Sequence, residues 1–198
     1  MYPKFAVRKL TDQEIENRYL LLRQSALAGE LRWTQASEAS MMRDAYDYDA
    51  FCYGVFWEEQ LLGAIRLVVK KMTRELPSGQ YLPIDEFFGE KCAELGRAVV
   101  DKPFRGLNLF SVLVLHATIK ALEIGAKHIY ATIVDTPGGR AFSIAHGYKI
   151  IGEPFFYRDE LIAVPEKTIT VKLLHERHGD LVGMESRRNH LFKSRPFA

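Results

Sequence analysis

Six ionisable residues stand out by type and setting. Glu94 sits in the run Cys92-Ala-Glu-Leu-Gly-Arg-Ala-Val-Val100, which otherwise reads as a largely buried strand. A carboxylate held there can take the proton of an attacking amine, directly or through water. Acyl transfer from a thioester to an amine needs that base, a polarised carbonyl and a protonated thiol leaving group. The plainer alternative is an edge-strand glutamate paired with Arg97. The two are three residues apart, which on a regular strand sends them to opposite faces. A bulge would turn both into one cleft, and Gly96 between them makes a bulge easy. Arg23, Asp44, Asp47 and Arg66 join Arg97 in a mixed-charge set suited to a zwitterionic, amino-acid-like acceptor. Guanidinium forks a carboxylate, and carboxylates hold an ammonium or a sulfonium. Asp44-Ala-Tyr-Asp47 would serve equally as a solvated turn, Arg23 as a surface helix residue and Trp33 as core instead of a wall of the acceptor site.

The elements that must position these residues follow from periodicity. Phe5 to Leu10 reads as a strand, and Thr11 with Glu14 forms a capping box opening a helix to about Ala28. Thr34 to Arg43 is a weaker helix or part of a structured loop. Phe51 to Trp57 and Leu61 to Val69 make a hairpin around Glu58-Glu59-Gln60. Glu75 to Gly89, punctuated by Pro77, Gly79 and Pro83, reads as loop with one short turn. Ala93 to Val100 is a strand, and Leu107 to Ile124 a long apolar helix closed by Gly125. His128 to Val134 is a strand, Gly139 to His146 a short helix, and Tyr148 to Gly152 and Thr168 to Leu174 the last strands. Strand, long helix and strand in succession imply a right-handed crossover in a mixed sheet, an α/β or α+β fold.

The 198 residues suit one domain, residues 1–198, with 179–198 as a basic C-terminal tail. The tail could dock an acidic partner or simply be solvated. A net charge of +2 argues against nucleic acid as partner. Cys52 and Cys92 lack CxxC spacing, and His116, His128 and His146 are scattered, so neither a metal site nor a disulfide framework is expected. The N-terminus lacks an apolar signal core and no stretch reaches about 18 apolar residues, so no membrane span and a cytoplasmic location are expected.

The element order resembles that of the GNAT acyltransferases, and Val99-Val-Asp-Lys-Pro-Phe-Arg-Gly106 resembles the end of their fourth strand and their phosphate-binding turn. The resemblance implies a three-layer fold, a mixed central sheet flanked by helices, with Val99, Arg105, Gly106 and Thr132 on the donor side. Acetyl-CoA enzymes of that fold carry Gln/Arg-x-x-Gly-x-Gly/Ala at this turn. Here Asn108 and Phe110 replace the glycines, which disfavours a cradled pyrophosphate and favours a single phosphate, as on a carrier protein's phosphopantetheine.

A narrower set resembles the acyl-homoserine-lactone synthases: Arg23, Trp33, Asp44-x-x-Asp47, Arg66, Glu94-Leu-Gly-Arg97 and Thr132. Leu27, Met42 and Val68 depart from that family's aromatic, acidic and basic residues. The resemblance implies a cytoplasmic enzyme without a tightly bound cofactor. It would move an acyl chain from acyl carrier protein to the amine of S-adenosylmethionine, with Glu94 catalytic. The carboxylate of the acylated product would then close the lactone and expel methylthioadenosine. N-acyl amino acid synthesis, acetyl-CoA-dependent acetylation and a catalytically degenerate binding module remain as alternatives.

Overall fold

A computed structural model describes residues 5–30, 43–81, 90–155, 170–175, 186–187 and 190. Strand β1 (Phe5–Lys9) leads into the predicted capping box, where Glu14 N donates to Thr11 Oγ1 at 3.3 Å and Thr11 N to Glu14 Oε2 at 3.0 Å. The helical stretch that follows, α1 (residues 12–30), alternates α-turns at Asp12–Glu14 and Leu20–Arg23 with wider π-turns at Ile15–Tyr19 and Gln24–Glu30. It lays Ile15, Tyr19, Leu20, Ala26 and Leu27 on one face of the sheet, against Cys52, Phe56, Ala64 and Val99.

The hairpin is β2 (Phe51–Trp57) and β3 (Gln60–Lys70), with Glu58 left-handed at φ 52° in the turn. A 3₁₀ turn at Thr73–Glu75 leads into the expected loop, whose described part holds one further 3₁₀ turn, Gly79–Tyr81; residues 82–89 lie outside the described residues. Strand β4 (Cys92–Val100) precedes α2 (Leu109–Glu123), which ends at Gly125 with φ 90°, the left-handed terminator the sequence called for. Then come β5 (His128–Val134), α3 (Pro137–Ala145), β6 (Tyr148–Phe155) and β7 (Thr170–His175). Thr136 Oγ1 accepts from Gly139 N at 3.0 Å to cap α3, with Pro137 in its first turn.

Among the described residues, seven strands form one sheet in the order β1-β2-β3-β4-β5-β7-β6. Only β4 and β5 run parallel, joined by the α2 crossover, so the sheet is mixed as expected. Helix α2 is apolar around most of its circumference because it packs beneath the sheet, with Leu113, Ala117, Ile119 and Ala121 fully buried. Burying one such leucine contributes roughly 2 kcal/mol, so this layer is the larger share of the core.

Candidate active site

The irregularity of β4 organises the site. Ala64 pairs with Val99 but Arg66 with Gly96, so β4 uses three residues where β3 uses two. The left-handed residue of this bulge is Arg97 at φ 52°, next to Gly96. Tyr19 Oη, from the first π-turn of α1, donates to the Arg97 carbonyl at 2.8 Å and holds that peptide. Leu95 and Ala98 face α2, while Glu94 and Arg97 both reach the other side.

Pairing of β4 with β5 ends at Leu95–Ala131. Beyond that point the two strands part, and a cavity of about 730 Å³ opens between them. Glu94, Arg66, Arg97, Val99, Arg105, Gly106 and Thr132 all line it, so candidate acceptor and donor residues share one cleft.

A buried ionic cluster forms one wall. Arg23 Nη1 donates to Asp47 Oδ1 and Oδ2 at 2.8 and 2.9 Å. Arg66 Nη1 donates to Asp44 Oδ1 at 2.5 Å and to Asp47 Oδ1 at 2.9 Å, and Arg97 Nη2 to Asp44 Oδ2 at 3.0 Å. Asp44 caps its own 3₁₀ turn, Ala45–Tyr48, and Asp47 Oδ2 accepts from Asp44 N at 3.0 Å, so both carboxylates are fixed by local backbone. Arg23 is wholly buried, which rules out the surface-helix reading. Burial alone would raise the Asp44 carboxyl, but Arg66, by charge and hydrogen bond, and then Arg97 and Arg23 hold it down at about 2. Conversely, Asp44 and Asp47 keep Arg66 firmly charged against its burial.

Among the described residues, three guanidiniums and two carboxylates make up this cluster. Among the described residues, Arg23 Nε and Nη2 and Arg66 Nε find no hydrogen-bond partner. Buried donors in that state favour one further acceptor.

Glu94 is 5% exposed, and its Oε2 accepts from Ser78 N at 3.1 Å. Ser78, fully buried, also accepts at Oγ from Thr132 Oγ1 at 3.3 Å, which links the two strands beside the cleft. Gly79 makes this possible: a Cβ there would lie 2.5 Å from the Thr73 carbonyl. Sequence reasoning missed Ser78, a lone serine in a Pro- and Gly-rich loop, and gave Tyr19 no part in the site.

On the donor side, Gly106 (φ 83°) and Asn108 (φ 60°) make a left-handed turn into α2. Asparagine tolerates that conformation, so loss of the glycine at 108 leaves the turn in place. Arg105 Nε donates to the Val100 carbonyl at 3.0 Å, tying this side chain to its own turn. Phe110, part-exposed, stands edge-on to Phe142 of α3 with centroids 5.1 Å apart. Trp33 and Met42 lie outside the described residues, as does most of the basic tail; Arg187 donates to the Ala145 carbonyl at 2.8 Å. Cys52 and Cys92 are buried free thiols, and no helix among the described residues is long and apolar enough to cross a membrane.

Comparison with known proteins agrees with this geometry. The family model for the acetyltransferase (GNAT) domain matches residues 22–115. No curated protein matches by sequence. Among solved structures, the chain is similar to FeeM, an N-acyl amino acid synthase from uncultured soil microbes. That match has 16% identity and a TM-score of 0.66, and covers 92% of this chain and 95% of the other. It is similar also to an acyl-CoA N-acyltransferase from Pseudomonas aeruginosa (17% identity, TM-score 0.61, 88% and 99% covered). A third is a Bacillus subtilis acetyltransferase in complex with CoA (15% identity, TM-score 0.52, 88% and 99% covered). Strand order, the parting of β4 from β5 and these likenesses agree: the chain has the GNAT fold.

Proposed function

We propose that this chain is a one-domain, cytoplasmic N-acyltransferase moving an acyl chain from acyl carrier protein to the amine of an amino-acid-like acceptor. The observation that carries the reading is Glu94, a carboxylate buried in the wall of a 730 Å³ cleft beside Arg66 and Arg97. In the reaction the acceptor's amine attacks the thioester carbonyl as Glu94 takes its proton. The carbon–sulfur bond then breaks, and the thiolate leaves with a proton. Arg66 and Arg97, held by Asp44 and Asp47, meet the acceptor's carboxylate. Val99, Gly106 and Thr132 flank the pantetheine arm, and the turn before α2 offers its free amides to one phosphate.

The motif set at Arg23, Trp33, Asp44, Asp47, Arg66, Glu94 and Arg97 supports S-adenosylmethionine as the acceptor and an acyl-homoserine lactone as the product. A second acceptor, an intact amino acid, is favoured by one observation. Asp44 and Asp47 are already shared among three guanidiniums, so neither is left to meet a sulfonium. Likeness to an N-acyl amino acid synthase points the same way. Mass spectrometry of lipid extracts from cells expressing the chain separates these outcomes. Lactone supports the first acceptor and acyl amino acid the second. Neither product returns the chain to acetyl-CoA chemistry or to a binding module without turnover.

A further inference from the structure

Gly96 has no local reason to be glycine. Its φ lies outside the left-handed region, which the bulge assigns instead to Arg97. A Cβ built on it meets nothing within 4 Å, in contrast to Gly54, Gly63 and Gly79, where backbone or core atoms crowd the position. A strand glycine that neither conformation nor packing requires carries an entropic cost on folding. The open space therefore belongs to something the strand must admit.

The sheet register says where that space lies. Gly96 pairs with Arg66, and Glu94 with Val68 two pairs along the same ladder. Cross-strand partners present side chains to one face, and residues two apart on a strand share it. The missing side chain of Gly96 thus falls on the face of Glu94 and Arg66, between the candidate base and the guanidinium fixed by Asp44 and Asp47. Leu95, its neighbour, faces α2 on the opposite side. Gly96 is also the first residue past the Leu95–Ala131 pair, at the vertex where β4 and β5 part, and it lines the cavity there.

We propose that Gly96 is the acceptor-size determinant of this site, its bare backbone admitting the α-carbon and side chain of an amino-acid-type amine between Glu94 and Arg66. This rests on the N-acyl-transfer reading above. Bulk at position 96 excludes large acceptors first and perturbs the donor arm less, since that arm runs on past Val99 toward Gly106.

The test compares wild type with Gly96→Ala and Gly96→Val. Calorimetric titration uses glycine, tyrosine and S-adenosylmethionine as acceptor probes and octanoyl-pantetheine as donor probe, with melting temperature recorded alongside. Both variants should melt within about 2 °C of wild type, because the added atoms meet no protein. Gly96→Val should weaken tyrosine and S-adenosylmethionine about tenfold or more, glycine much less, and octanoyl-pantetheine less than about twofold. Unchanged acceptor affinities, an equal loss for the donor or a collapsed melting temperature would each overturn the assignment. If wild type acylates an amine while the variants bind all acceptors normally, this inference alone fails. A wild type that binds the donor probe and no acceptor sinks both this inference and the function it rests on.

Discussion

Arg23 and Asp47 meet head-on inside the protein: one guanidinium nitrogen reaches both carboxylate oxygens, at 2.8 and 2.9 Å, and neither side chain exposes any surface. Such a pair is expensive to break from one side, because the survivor keeps its charge without its partner. Asp47→Ala should therefore cost about 3–5 kcal/mol in chemical denaturation, more than the loss of a surface pair by a wide margin. A cost under about 1 kcal/mol would mean that water already reaches the cluster. Activity measurements on this variant need a stability control, since Asp47 supports the acceptor wall and does not line the cleft.

The cluster also sets an acid limit. The Asp44 carboxyl titrates at about 2 in the folded chain, below its ordinary 3.8. A depressed carboxyl contributes stability that is complete above the ordinary value and lost as pH falls through the folded one. Unfolding free energy should thus fall between about pH 4 and pH 2 by roughly 2 kcal/mol from this group, and Asp44→Asn should flatten that part of the curve. An unaltered slope in the variant would assign the acid loss to other carboxylates.

Glu94→Gln keeps volume and the hydrogen bond from Ser78 N while removing the base. It should leave the melting temperature close to wild type and lower kcat well beyond tenfold, or about 1.4 kcal/mol of barrier. Steady-state rates that change less than this mean another group, or solvent, takes the amine proton.

Arg66→Ala should weaken acceptor affinity more than donor affinity. Arg66 lies against Gly96 on the acceptor side of the cleft, away from the turn into α2. Separate titrations with carrier protein and with S-adenosylmethionine or an amino acid would check this. Loss confined to the carrier protein would contradict the division of the cleft.

Donor choice gives a kinetic signature. Acyl carrier protein should turn over faster than the matching acyl-CoA, and its advantage should shrink as ionic strength rises, because steering by opposite charge is screened within about 10 Å at 0.1 M salt. Equal rates, insensitive to salt, would favour CoA. The left-handed turn that Asn108 preserves is the feature that leaves this comparison open to experiment, since the backbone path of a phosphate loop persists without its glycine.

Local signals were read correctly from sequence where the physics is local. The Thr11–Glu14 capping box, the Gly125 terminator and the β2–β3 hairpin depend on neighbours within a few residues. The bulge in β4 was anticipated, but its left-handed residue was not, because Tyr19 and the cluster that hold Arg97 come from distant parts of the chain. The pairing of Arg23 with Asp47 was equally hidden: types and spacing grouped these residues, whereas their burial depends on how α1 meets the sheet. Ser78 carried no signal, since its contribution to Glu94 is a backbone amide that any residue type would possess.

The sheet has a seam. Among the described residues, the β1–β4 half and the β5–β7–β6 half share a strand ladder along the short parallel stretch Cys92–Leu95 against His128–Ala131, with α2 as the intervening chain. Every other strand contact is antiparallel, and β2–β3 closes through a two-residue turn. A parallel join across a helical crossover closes a long loop before any contact rewards it, so it forms late and slowly. The cleft is complete only once that join has formed. A nascent molecule can hold a finished antiparallel half while the reacting groups, split between Glu94 and Thr132, have yet to meet.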